Sequence, residues 1–162
     1  LKKIFDASAL FNLVNGGVLD TVTELLTPTA CLGPLVKKEC LSIAAVLDAV
    51  IASGRLEVID DSTLPSSVFF RLLQDYQLGD GETECLAFAS TRPLLVCCDD
   101  RRARNMITKE LGDGRVIGTL GLLLRAVELQ KLTPEQAWAA YEQMRRRGGF
   151  LPDVKSEVFS KP

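Results

Sequence analysis

The chain has no histidine among its 162 residues. That removes His-dependent triads, imidazole general bases and the common zinc catalytic sites. A basic surplus is missing too: 19 lysines and arginines face 21 aspartates and glutamates, for a net charge of −2 and a pI near 5.3. Without a global positive field, contact with nucleic acid must come from a local patch. No stretch approaches the ~20 apolar residues that span a bilayer. Asp6 interrupts the apolar segment that a signal peptide would need. A cytoplasmic protein with no membrane partner is expected. The five cysteines (31, 40, 85, 97 and 98) are odd in number and lack metal-type CxxC spacing. Four lie in apolar stretches, which suits buried free thiols in a reducing compartment. Cys97 and Cys98 are adjacent in an expected strand and would point to opposite faces, so no bridge between them is expected. There is no P-loop Gly-Lys-Ser or Gly-Lys-Thr, no internal repeat and no low-complexity linker. Gly112, Gly114 and Gly118 have the wrong spacing for a dinucleotide loop and precede a strand instead of following one.

What is present is ordinary globular composition, with 47% hydrophobic and 25% charged residues. The length suits one domain with a full three-layer core, read as residues 1–150 followed by a weakly ordered tail at 151–162. Short apolar strands are expected at 2–6, 29–33, 56–59, 94–98 and 115–117. Helices are expected near 18–26, 35–52, 63–74, 81–90, 100–111, 120–130 and 134–147, the last opened by a Thr133–Gln136 capping box. Strands alternating with helices argue for a parallel sheet covered on both faces.

Acids break four otherwise apolar or small-residue stretches. Asp6 ends Ile4-Phe5, Glu39 closes Pro34-Leu35-Val36-Lys37-Lys38, Glu82 opens the run to Ala89, and Asp99-Asp100 follow Leu94 to Cys98. Burying a carboxylate without a partner costs several kcal/mol (roughly 3–5 for a broken buried pair), so such acids need a compensating cation. Without histidine, a hard divalent metal is the simplest one. In open parallel sheets ligands sit beyond the carboxyl ends of the strands, at the switch point. If strands one and four are neighbours, all these positions share one cleft. Each acid also has a plainer reading. Glu82 suits a helix first turn with Asp80 as cap, Asp99 suits an N-cap, and Glu39 could be solvated beside Lys37 and Lys38.

Taken in order, Ile4 to Leu10, Gly33 to Glu39, Leu78 to Ala89, Leu95 to Arg104 and Val116 to Leu123 resemble the PIN-domain family, the nuclease fold that includes VapC-type toxins. The resemblance implies a three-layer α/β/α sandwich around a five-stranded parallel sheet. It implies metal-binding and catalytic acids at Asp6, Glu39, Glu82 and Asp100, with Asp99 sharing the last role. It also implies a Mg²⁺- or Mn²⁺-dependent ribonuclease, the toxin of a toxin–antitoxin pair, with RNA as substrate, a cognate antitoxin as partner and a homodimer as assembly. Two departures stand out: Glu82 occupies a place where many relatives have Asp, and the last site is a doubled Asp.

Ser8, two residues past Asp6, is placed to fix the Asp6 rotamer, or else to cap a helix or turn. Arg101, Arg102 and Arg104 follow the Asp pair and suit bidentate phosphate contact, against a solvated helix face. Arg145-Arg146-Arg147 reads as a charge cluster answering a helix dipole, with an RNA grip as its alternative. The rival function is a non-catalytic PIN-like module that binds RNA or protein. An aspartyl-phosphate phosphatase would want an Asp where Ser8 stands.

Overall fold

The computed structural model describes residues 1–160. Its centre is β1 (Lys2–Phe5), where Ile4 and Phe5 are fully buried. A strand apolar on both faces can sit only inside a covered sheet. It pairs in parallel on one side with β2 (Ala30–Leu32) and on the other with β4 (Leu94–Cys97), in the register Phe5↔Cys97. Outside these lie β3 (Glu57–Val58) and β5 (Val116–Ile117), giving an all-parallel order β3-β2-β1-β4-β5. The chain winds outward from β1 in one direction and then restarts at β4 in the other. The switch point therefore falls between β1 and β4, where such sheets open a crevice.

Nine α-helices cover the sheet among the described residues, making the expected three-layer α/β/α sandwich. On one face α5 (Ser66–Tyr76), α6 (Asp80–Thr91) and α7 (Arg101–Leu111) pack together. On the other, α1 (Ala7–Asn15) and α2 (Leu19–Leu26) pack with α8 (Thr119–Glu128) and α9 (Pro134–Arg146). The Thr133–Gln136 capping box forms as read. No described helix is long and apolar enough to cross a membrane. All five cysteines are free and buried.

Three local expectations need correction. Residues 7–15 form α1, which the sequence reading passed over; Asp6 is its N-cap and accepts from Ser8 N–H at 3.3 Å. The single helix expected over 35–52 is two, α3 (Pro34–Glu39) and α4 (Ala44–Ala52), joined by a 3₁₀ turn at Leu41–Ile43. The apolar spacing runs through this break. However, Cys40 is fully buried while Leu41 is 76% exposed, so the inward face is reset there. The tail expected to be weakly ordered packs down as far as it is described, with residues 161–162 outside the described residues. Tyr141 Oη donates to the Pro152 carbonyl at 2.7 Å. Phe159 is buried against Trp138 and Tyr141, its ring centre 6.4 and 5.9 Å from theirs.

Candidate active site

Because β1 and β4 are neighbours, the residues that follow them meet at one edge. Asp6 N–H extends the ladder by donating to the Cys97 carbonyl at 2.9 Å. Asp99 and Asp100 leave β4 at the same level. The crossover helix α6 runs back toward β4, so its first turn, with Glu82, also faces this edge. Glu39, the last residue of α3, is tied to that turn: its Oε1 accepts from Gly81 N–H at 2.9 Å. A side chain on Gly81 would collide with this carboxylate, its Cβ falling 2.6 Å from Glu39 Oε2.

Four of the carboxylates share one pattern. Asp6 Oδ2 accepts from Ser8 Oγ at 2.6 Å and from the Cys98 thiol at 3.3 Å. Glu39 Oε1 is held by Gly81, Glu82 Oε2 by Gly79 N–H at 3.0 Å, and Asp100 Oδ1 by Ala103 N–H at 2.7 Å. In each the second oxygen has no hydrogen-bond partner among the described residues. None of the four joins an ion pair there. Burial pushes the Glu82 carboxyl up, against the pull of the Gly79 N–H, and the charges of Asp6, Asp100 and Glu39 add to the rise. The cleft is therefore a set of mutually repelling acids, each anchored by one oxygen.

Asp99 differs. Its Oδ1 accepts from Thr119 N–H at 2.7 Å, and its Oδ2 accepts from Asn12 Nδ2 at 2.8 Å and from the Thr119 hydroxyl. Both oxygens are occupied in tying β4 to α1 and α8. It is not the N-cap of α7 either; Asp100 takes that place. Similarly Gly79, not Asp80, is the N-cap residue of α6. Ser8 does more than orient Asp6, since its Oγ also accepts from Asp99 N–H at 3.0 Å.

Only Asp6 among these acids is fully buried, at 2% exposed, while Glu39 and Asp100 are exposed and Glu82 and Asp99 are intermediate. The premise that every acid is core-like therefore fails. The second buried acid is one the sequence reading passed over, Glu84 at 1% exposed. Its oxygens accept from Leu35 N–H at 3.1 Å and Val36 N–H at 3.1 Å, at the start of α3. Glu84 thus fixes the helix that carries Glu39. Asn12, Cys98 and Thr119 were also missed. Thr119 opens the helix after β5 and so faces the same edge, a signal the sequence carried. Asn12 stands one helical turn beyond Ser8, which becomes visible only once α1 is recognised.

Of the arginines after the Asp pair, Arg104 Nη1 donates to the Cys98 carbonyl at 2.9 Å and Arg102 Nη2 to the Tyr76 carbonyl at 3.2 Å. Arg101 is exposed and makes no side-chain hydrogen bond among the described residues. Lys37 pairs with Asp48 at 3.0 Å and not with Glu39.

The donor set fits a hard divalent cation in kind, being all oxygen and without an ion-pair partner among the described residues. No three His, Cys, Asp or Glu side chains among the described residues are grouped so as to hold a metal ion. Glu39 and Glu82 are each turned to a backbone N–H instead.

Raised Glu82 has a measurable consequence. A raised acid pKa means the folded state holds the proton more tightly than the unfolded chain. Its stabilisation is complete below the ordinary glutamate value of 4.5 and is lost as pH rises through the folded value. In EDTA, the Tm of the parent should therefore fall more between pH 4.5 and 7 than that of Glu82→Gln, and the variant should melt higher at pH 7. Parallel curves for the two proteins would show that the Glu82 charge carries no such cost.

A family model described as a PIN domain matches residues 2–161. No curated protein and no solved structure matches the chain. PIN domains are in general nucleases and typically use divalent metal ions, which accords with an acid cleft at the switch point. With the match running over nearly the whole sequence, and the parallel sheet in place beneath it, the chain belongs to the PIN-domain family.

Proposed function

We propose that this PIN domain is a Mg²⁺- or Mn²⁺-dependent endoribonuclease. The observation that carries the reading is the set of four carboxylates at one sheet edge, each with one anchored oxygen and, among the described residues, one unpartnered oxygen and no cation partner. Asp6, Glu39, Glu82 and Asp100 are the residues that would hold the ion, once the Glu39 and Glu82 carboxylates turn from the backbone N–H groups they meet here. When bound, a divalent ion supplies polarisation of a phosphate oxygen and acidification of water. The chain's own contributions are positional. Ser8 and Cys98 lock Asp6 Oδ2, leaving Oδ1 without a hydrogen-bond partner among the described residues. Ala103 N–H fixes Asp100 by Oδ1, leaving Oδ2 to hold the ion or to orient a water beside it. Asp99 braces β4 against α1 and α8 and acts through that framework. Arg101, whose guanidinium makes no hydrogen bond among the described residues, is the arginine assigned to a phosphate contact.

Purified protein should cut single-stranded RNA with Mg²⁺ or Mn²⁺, and EDTA should abolish the cutting. RNA bound but left intact under all metals would establish the non-catalytic module instead. The role as toxin, the antitoxin and the homodimer belong to this proposal through the resemblance. A small antitoxin gene beside the coding sequence would support them.

A further inference from the structure

A cavity of about 300 Å³ opens beside Asp100, walled by Phe11 and Asn15 of α1 and by Arg147, Gly149 and Phe150 after α9. Phe150 is 93% exposed, the most solvent-bare large apolar side chain described. An aromatic ring left in water forgoes burial worth about 1.5–3 kcal/mol, so its position calls for an account. The backbone around it is held. Gly149 N–H donates to the Met144 carbonyl at 3.0 Å, and Leu151 N–H to the Gly149 carbonyl at 3.0 Å. Tyr141 Oη grips the Pro152 carbonyl just beyond. Gly149 lies so close to α1 that a Cβ there would fall 2.4 Å from Asn12 Oδ1. The loop is seated, while the ring it carries stays in solvent.

The arginine cluster supplies the second observation. Arg145 pairs with Asp153 at 3.2 Å and Arg146 with Glu142 at 3.6 Å. Arg147 has no carboxylate partner among the described residues and lines the cavity. A bare ring, an uncommitted guanidinium and a side-chain amide thus surround a cavity that reaches Asp100.

We propose that this cavity takes one base of single-stranded RNA, stacked on Phe150, with an adjoining phosphate held by Arg147. The inference rests on the nuclease reading of the acids and extends it to a substrate subsite. A ring offers its face to any base, so the subsite tolerates sequence. A guanidinium matches phosphate in bidentate geometry. A base stacked in a duplex cannot reach such a ring, so the subsite selects unpaired strands.

The test measures binding of a fluorescein-labelled single-stranded RNA by anisotropy in EDTA at low salt, with cleavage in Mn²⁺ followed separately. Phe150→Ala should weaken binding by roughly 5- to 150-fold, with an unchanged Tm because the ring is exposed, and Phe150→Tyr should restore affinity. Arg147→Ala should weaken binding and lower the salt slope by about one. An abasic nucleotide at the position that costs the parent most should cost Phe150→Ala nothing. Binding by Phe150→Ala within twofold of the parent overturns the subsite and leaves the ring to a protein partner; the nuclease reading stands if the parent still cuts. Binding through Phe150 without cutting by the parent keeps the subsite and removes catalysis. A parent that neither binds nor cuts RNA overturns both.

Discussion

Asp6→Asn, Glu82→Gln and Asp100→Asn should each lower metal-dependent RNA cleavage on the order of 10²-fold or more, the scale seen when one preorganised electrostatic contact is removed. Each change keeps the side chain's shape and one acceptor oxygen. The anchoring donors, Ser8 and Cys98 for Asp6, Gly79 for Glu82 and Ala103 for Asp100, keep an oxygen to bond. Folding should therefore survive, as circular dichroism and melting curves would show. Asp99→Asn is the contrasting case. Its two oxygens face three donors, Asn12 Nδ2, Thr119 N–H and the Thr119 hydroxyl, and an amide NH₂ would be set against one of them. That variant should lose Tm first and activity as a consequence. Full activity in all of the first three variants would sink the metal-nuclease reading. A fully stable but inactive Asp99→Asn would move Asp99 from the framework to the chemistry.

Gly33→Ala should destabilise the protein by about 2–4 kcal/mol through the loss of buried hydrogen bonds and local overpacking. A Cβ at Gly33 would fall 2.0 Å from Glu84 Oε2. Most glutamate tips could swing aside, but this one is buried and held by the Leu35 and Val36 N–H groups. Moving it strands both donors at the start of α3 and leaves a displaced carboxylate in the core. Burial already pushes the Glu84 carboxyl up, against the pull of those donors. At about 2–4 °C per kcal/mol for a chain of this size, the Tm should drop by roughly 4–16 °C. Glu84→Ala should cost a similar amount, and the double variant little more than either single, because the two share one interaction. Urea unfolding of the four proteins measures this directly; additive losses would show that Gly33 and Glu84 act independently.

The sheet was legible because its signal is concentrated. Ile4-Phe5, Ala30 to Leu32 and Leu94 to Cys97 are short apolar runs with turn residues around them, and little else suits those runs. The ordered acids likewise marked the edge at which they meet. Two things were hidden. Glu84 lies two residues past Glu82 in the same run, and only the position of α3 distinguishes a cleft acid from a buried brace. The division of labour between Asp99 and Asp100 depends on Asn12 and Thr119, which are 87 and 20 residues away from Asp99. No local pattern encodes that distance. Helix α1 follows β1 with Asp6 alone between them, so no run of turn residues announces it.

The central position of β1 also bears on when this protein becomes what it is. Its two neighbours come from very different times in synthesis: β2 follows within about thirty residues, as Lys3↔Ala30 shows, but β4 arrives only with Leu94. Closing a contact over so long a loop is slow. Asp6 must wait for Asp100, nearly a hundred residues later, before the edge they share exists. Its brace at Thr119 comes later still. A growing chain can hold a compact β1–β2 unit without holding a cleft. Whatever chemistry the acids perform is withheld from the nascent protein until the second half of the sheet has docked.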